Sequence, residues 1–233
     1  MTVPVYIKIH DDIKNKIENG SWKVGTRIPS ERKLSEQYGV SRMTFRQAVQ
    51  AFAEDGILKR VAGSGTYVTN QKVQEKMSGV TSFTNIMLAQ GKQPSTKTLS
   101  YKIVEPTFKE ASVLGLSQDD RVLRMNRIRY GDEVPICYEV AAVNASMVER
   151  LSEEDVSSSL YRSLEDKKGL RPRSAKQFIS AILATDRIAE LLDIDAKAPI
   201  LKLKQISYLQ NQQPFEFVQT QYAAERFEFY LNK

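Results

Sequence analysis

Nine positions between Ala111 and Tyr130 recur 78 residues further along the chain, and no other feature limits the possible folds as tightly. Ala111, Leu114, Leu116, Val122, Leu123, Arg124, Met125, Ile128 and Tyr130 match Ala189, Leu192, Ile194, Ile200, Leu201, Lys202, Leu203, Ile206 and Tyr208. Each copy reads as a short helix, a turn and a strand hairpin, the second strand starting near Pro135 or Pro214. One duplication is too few for a solenoid. It predicts one antiparallel sheet made of two related halves with helices on its face, an α+β domain.

The two copies differ where chemistry would reside. Arg127 and Arg129 in the first become Gln205 and Ser207 in the second. Strand alternation puts both arginines on the face of Leu123 and Met125, and Glu139 on the face of Cys137, Ala141 and Val143. Charges entering an apolar face need partners. Two arginines to one carboxylate leave a positive surplus that an anion, most simply a phosphate, would complete. Ser159 and Tyr161 follow a serine run and open another helix, while Glu216 and Tyr222 share a face of the last long strand. Ser82, Phe83 and Thr84 begin a helix that runs toward Gly91, and such a start favours negative charge. A purely structural Arg–Glu pair remains the simpler alternative.

The N-terminal third follows a different plan. Tyr6, Ile9, Ile13 and Ile17 predict a helix from about Val5 to Asn19. Ser30 caps a second helix that ends by Gly39, and Ser41 caps a third that runs to Asp55 and Gly56. On the third, Phe45, Ala48, Val49 and Phe52 form one arc, and Arg42, Met43, Arg46, Gln47 and Gln50 cover most of the rest. Ile57–Val61 and Thr66–Thr69 read as strands joined through Ala62, Gly63, Ser64 and Gly65. Long polar side chains at a helix start suit the major groove, where Arg pairs with guanine and Gln with adenine. These features predict a winged helix-turn-helix. Arg42 and Arg46 would read bases, Arg32, Ser41 and Thr44 would meet the backbone, and Lys59 and Arg60 would lie near phosphates beside a glycine tip at Gly63 and Gly65. A structural three-helix module with a solvated basic face is the alternative.

Charge agrees with this division. Residues 1–70 carry a net +4 of the +6 total, as a phosphate-binding module requires. One cysteine excludes an internal disulfide, and single Cys and His residues exclude a Cys- or His-rich metal site; no metal or cofactor is expected. No stretch approaches the roughly 20 apolar residues that span a bilayer, so a cytoplasmic protein without membrane partners is expected. The expected domains are 1–70 for the winged module, 71–80 for a polar linker and 81–233 for the repeat domain.

The order Pro29-Ser30-Glu31-Arg32, Val40-Ser41-Arg42-Met43-Thr44, Arg46-Gln47-Ala48 and Gly63-Ser64-Gly65-Thr66 resembles the GntR family of bacterial transcription regulators. The resemblance implies a homodimer on a short pseudopalindromic operator in double-stranded DNA. Arg32, Arg42, Thr44, Arg46 and Gly65 match the family's DNA-contacting positions, and Met43 holds a recognition position shared with one branch. Thr81-Ser82-Phe83-Thr84, Arg127-Ile128-Arg129, Tyr138-Glu139, Ser159-Leu160-Tyr161, Ala175-Lys176-Gln177 and Phe215-Glu216 are similar to the sensing domain of its HutC branch, which has a chorismate-lyase-like fold. They look most like regulators of N-acetylglucosamine use. That implies a repressor relieved by glucosamine 6-phosphate or N-acetylglucosamine 6-phosphate, with Thr84, Arg127, Arg129, Glu139, Ser159, Tyr161, Glu216 and Tyr222 lining the pocket. Phe178 stands where such domains commonly carry Glu, which bears on the sugar more than on the phosphate.

The rival from another class is an enzyme of chorismate-lyase-like fold acting on a small anionic substrate. It is disfavoured because the sole histidine, His10, lies in the winged module. A nonspecific architectural DNA binder would have no use for inward arginines.

Overall fold

In the computed structural model the chain divides into two compact units, Met1–Lys72 and Val73–Lys233, and the structure describes residues 4–54, 56–69 and 72–231. Asp55 at the expected end of the third helix, and Asn70 and Gln71 at the expected domain junction, lie outside the described residues.

The first unit holds helices α1 (Val5–Glu18), α2 (Glu31–Gln37) and α3 (Arg42–Glu54), then a hairpin of β1 (Leu58–Val61) and β2 (Gly65–Val68). Local chemistry sets the boundaries. The Ser30 hydroxyl accepts the Lys33 N–H at 3.3 Å and the Ser41 hydroxyl accepts the Thr44 N–H at 3.1 Å, each satisfying a helix-start donor. Gly39 takes φ 62° to turn the chain between α2 and α3. Ile9, Ile13, Leu34, Phe45, Phe52, Leu58 and Val68 form the core. As the helical periodicity predicted, Phe45, Ala48 and Phe52 are buried while Arg42, Met43, Arg46, Gln47 and Gln50 are exposed; Val49, expected on the packed arc, is half-buried against the core.

The second unit runs β3 (Val73–Lys76), α4 (Phe83–Ala89), β4 (Pro94–Val104), α5 (Phe108–Leu114), β5 (Val122–Gly131), β6 (Val134–Asn144), α6 (Ala145–Val148), α7 (Glu153–Lys168), β7 (Pro172–Leu183), α8 (Asp186–Leu192), β8 (Pro199–Leu209), β9 (Pro214–Ala223) and β10 (Phe227–Tyr230). Six strands form one antiparallel sheet in the order β4-β5-β6-β9-β8-β7. The halves β4-α5-β5-β6 and β7-α8-β8-β9 therefore meet at the β6–β9 seam, as the repeat requires. Each half carries a strand that the repeat did not reveal, and Pro94 and Pro172, which open them, again stand 78 apart. Helices α5 and α8 cover one face, α5 against β9 and α8 against β6.

The linker expectation needs correcting. Val73–Lys76 is a strand paired in parallel with β10, with Val73 and Glu75 buried and Gln74 and Lys76 exposed. Four residues, two of them charged, are too few to display alternation in sequence, and the partner strand is the last in the chain.

Candidate functional site

On the first unit, Arg32, Ser41, Arg42, Met43, Arg46, Gln47, Lys59, Arg60 and Gly63 are exposed, and Thr44 and Gly65 are half-buried. Glu31 organises part of this surface. Its carboxylate meets Arg46 at 2.9 Å and Arg60 at 3.2 Å, tying the first turn of α2 to α3 and to the hairpin. Ion pairs this exposed are screened by solvent and weak, so phosphate can compete for both guanidinium groups. Ser41 and Thr44 hydroxyls lie 2.9 Å apart at the start of α3. Met43 is 71% exposed, an apolar side chain free to meet a thymine methyl. At the hairpin, Gly63 has φ 73° with open space about it, whereas Gly65 has φ 140° and a Cβ there would sit 2.6 Å from the Arg27 Nε. Two different demands thus require glycine in one short loop.

The second unit's other sheet face, opposite α5 and α8, carries two apolar clusters. One gathers Leu123, Met125, Ala141 and Val143 beneath Val156, Leu160 and Leu164 of α7. The other joins Met87, Cys137, Leu203 and Tyr222 to Val73 and Phe227. Between them runs a polar band, and there the structure gathers all ten expected residues around one cavity of about 60 Å³: Ser82, Phe83, Thr84, Arg127, Arg129, Glu139, Ser159, Tyr161, Glu216 and Tyr222. A wider cleft of about 950 Å³ shares Thr84, Arg129 and Ser159 with it.

The two arginines have different duties. Arg127 donates through Nε to Glu139 at 2.9 Å, again to Glu139 through Nη2, and through Nη1 to the carbonyls of Val156 at 3.2 Å and Ser157 at 2.9 Å. Arg129 donates Nη2 to the Ser158 carbonyl at 3.3 Å and the Thr84 hydroxyl at 3.2 Å, and the Phe83 ring lies 4.7 Å from its guanidinium carbon. Its Nε has no partner although the side chain is buried. Burial, then Arg127, lowers its pKa to about 10, so it remains a cation at neutral pH. For Glu139, burial raises the carboxyl, but Arg127 and then Arg129 outweigh burial and hold it below its ordinary value.

These donors explain a break in α7. Ser159 has φ −159° and ψ 93°, outside the helical region. The interruption frees the carbonyls of residues 156–158, and the arginines take them up, placing positive charge at the C-terminal end of the first segment. Leu160 then opens a second segment whose first N–H groups lack helical acceptors.

A second network surrounds Glu216. Its Oε2 accepts from the Tyr161 hydroxyl at 2.7 Å and the Ser207 hydroxyl at 2.9 Å, and Gln205 Nε2 reaches Tyr161 at 3.1 Å and Ser207 at 2.9 Å. Burial, then Glu139, raises the Glu216 carboxyl to about 7. Tyr222 stacks on Phe227 at 4.0 Å and supplies an aromatic wall. Sequence reasoning missed Glu75, Gln205 and Thr220, which also line the cavity. Gln205 and Thr220 could have been found by strand alternation from Ser207 and Glu216. Phe178, by contrast, points away. It is 53% exposed on an edge strand, against a separate surface with Lys109 and Phe217, and its neighbour Gln177 is the residue that joins the network, through Gln205 at 2.6 Å. The expected bearing of Phe178 on the sugar is therefore withdrawn.

A winged helix-turn-helix joined in one chain to a domain with a charged internal cavity defines a ligand-responsive transcription regulator. Residues 5–68 match the bacterial regulatory proteins of the gntR family and residues 89–228 match the UTRA domain, and the chain belongs to this family. It is 32% identical to the HTH-type transcriptional repressor NagR of Bacillus subtilis over 97% of this chain and 93% of that protein. It is 28% identical to the mannosyl-D-glycerate transport/metabolism system repressor MngR of Escherichia coli over 98% and 95%. Among solved structures, PhnF from Mycobacterium smegmatis superposes with a TM-score of 0.79 at 25% identity, covering 97% of this chain and 98% of that one. The family is one of regulatory proteins and both named relatives are repressors, which removes the enzyme reading. Among the described residues no helix is long and apolar enough to cross a membrane.

Proposed function

We propose that this regulator is a homodimeric repressor of a pseudopalindromic operator, relieved by an amino-sugar phosphate, glucosamine 6-phosphate or N-acetylglucosamine 6-phosphate. One observation carries the phosphate: Arg129, a buried cation with an unpartnered Nε, whose Nη2 reaches both the Thr84 hydroxyl and the Ser158 carbonyl at the α7 break. An anion would complete its hydrogen bonds and its charge together. Glu216 and Glu139 offer acceptors for sugar hydroxyls. Pockets that hold small-molecule ligands measure about 300 Å³ or more, so the ligand would span the narrow cavity and the adjoining cleft. Arg42, Met43 and Arg46 would read bases, with Arg32, Ser41, Thr44, Gln47, Lys59, Arg60, Gly63 and Gly65 supporting them. Relatives whose names include repressor support that sense of regulation.

The test combines selection of a binding site from random DNA with anisotropy titration of that site, with and without each sugar phosphate at fixed salt. A coupling of about 1–3 kcal/mol gives a 5- to 150-fold loss of DNA affinity on adding the effector, and Arg129→Gln should abolish the response while leaving DNA affinity alone. Wild-type affinity unchanged by either ligand refutes the effector, and a selected site without two-fold symmetry refutes the dimeric operator.

A further inference from the structure

Glu75 lines the cavity but belongs to neither of the two networks described above. It belongs to β3, the four residues that follow the DNA-reading unit in the chain, and it lines the cavity while 8% exposed. Its Oε2 has no hydrogen-bond partner. Every other carboxylate on the cavity is served, Glu139 by Arg127 and Glu216 by Tyr161 and Ser207. Burial pushes its carboxyl up to about 7. An acceptor buried in this way is costly until a donor arrives.

The strand that carries it is held on both edges by elements of this unit. β10 pairs with one edge. On the other, Gln90, just past the end of α4, mimics a strand, its side chain accepting the Gln74 N–H at 2.9 Å and donating to the Gln74 carbonyl at 2.9 Å. The opposite end of α4 places Ser82, Phe83 and Thr84 on the same cavity. Helix α4 and β3 are thus clasped together, and each presents a residue to the ligand's space.

Resting on the effector reading above, we propose that Glu75 is a ligand-contacting residue, accepting an ammonium or hydroxyl donor of the amino sugar, and that this contact secures β3. The chain leaving the DNA-reading unit is then fastened according to whether the cavity is filled. The ligand repairs one unpaired acceptor on β3 and one unpaired donor on β5, so its two polar ends are recognised by separate elements.

The experiment is calorimetric titration of the full chain and of its Glu75→Gln and Glu75→Leu variants with glucosamine 6-phosphate, and with inorganic phosphate as the probe for the cationic end. Limited proteolysis across residues 70–80 is followed in parallel. We expect Glu75→Leu to weaken the sugar phosphate at least tenfold, Glu75→Gln to weaken it less, and both to leave inorganic phosphate within twofold. The sugar phosphate should slow cleavage in the wild type and fail to do so in Glu75→Leu at equal occupancy. Wild-type sugar affinity in both variants, or equal protection from cleavage, overturns the proposal, as does a parallel loss for both ligands, which would mark a collapsed site. A wild-type chain that binds neither probe refutes the effector reading itself and takes this inference with it.

Discussion

Glu75 and Glu216 make the second unit's stability depend on pH in an unusual direction. Both carboxyls move from 4.5 to about 7 in the folded chain, chiefly through burial. Below pH 4.5 each is protonated whether the chain is folded or not, and folding bears no ionisation cost. Above pH 7 each is ionised in both states, and the folded chain must hold the charge away from water. Stability is therefore full below the unfolded value and falls as pH rises through about 4.5 to 7. The displacement corresponds to about 3 kcal/mol per carboxyl as an upper limit. For a unit of this size 1 kcal/mol moves the melting temperature by about 2–4 °C, so each group accounts for a fall of about 6–12 °C at most. Glu110 and Glu139, which lie below their ordinary values, act in the opposite sense and only as pH drops under about 4.5, leaving the window clear. The assay is calorimetry of the full chain from pH 5 to 8 in buffers without phosphate or sugar. The single tryptophan, Trp22, lies in the first unit, and its fluorescence identifies that unit's transition. Glu75→Gln and Glu216→Gln should each flatten the profile. A second-unit melting temperature constant within about 2 °C over this range, or an undiminished decline in the double variant, would refute the assignment of buried carboxyls.

The remaining expectations concern other residues. Arg42→Ala should weaken binding to the selected operator more than tenfold at fixed salt, read by gel shift, whereas near-native affinity would remove it from the recognition surface. Arg127→Met strands Glu139 in the interior, and breaking such a buried pair costs about 3–5 kcal/mol; urea denaturation should show that loss, while Arg129→Met, which strands no carboxylate, should lose far less. Gly65→Val imposes a side chain where φ is 140° and Arg27 stands in the way, so DNA affinity should drop while the far-ultraviolet spectrum of the helices is retained.

The parts of the fold most legible in sequence were those fixed by short-range chemistry. Ser30, Ser41 and Gly39 announced the helices of the first unit because capping is settled within four residues, and the arc of Phe45, Ala48 and Phe52 separated core from surface. The duplication made the sheet legible at long range, since two copies cannot both be accidents. What stayed hidden depended on partners distant in the chain. β3 is defined by β10 and Gln90, and nothing local to Val73–Lys76 points to either. The edge strands β4 and β7 contain no fully buried residue and lack strong apolar alternation. The inward arginines could be inferred from strand parity, but their division of labour could not: only the position of the α7 break shows that Arg127 is occupied by carbonyls and Glu139 while Arg129 retains an open donor.

The seam between β6 and β9 lies at the approximate two-fold axis of the duplicated sheet. Two separate, identical half-sheets meeting there would present a ligand with the same groups twice, suited to a symmetric molecule. In a single chain that restriction does not hold, and Arg129 and Ser207 differ at matching places. A lopsided guest, anionic at one extremity and hydroxylated at the other, can be gripped in one orientation only because its container no longer has to repeat itself.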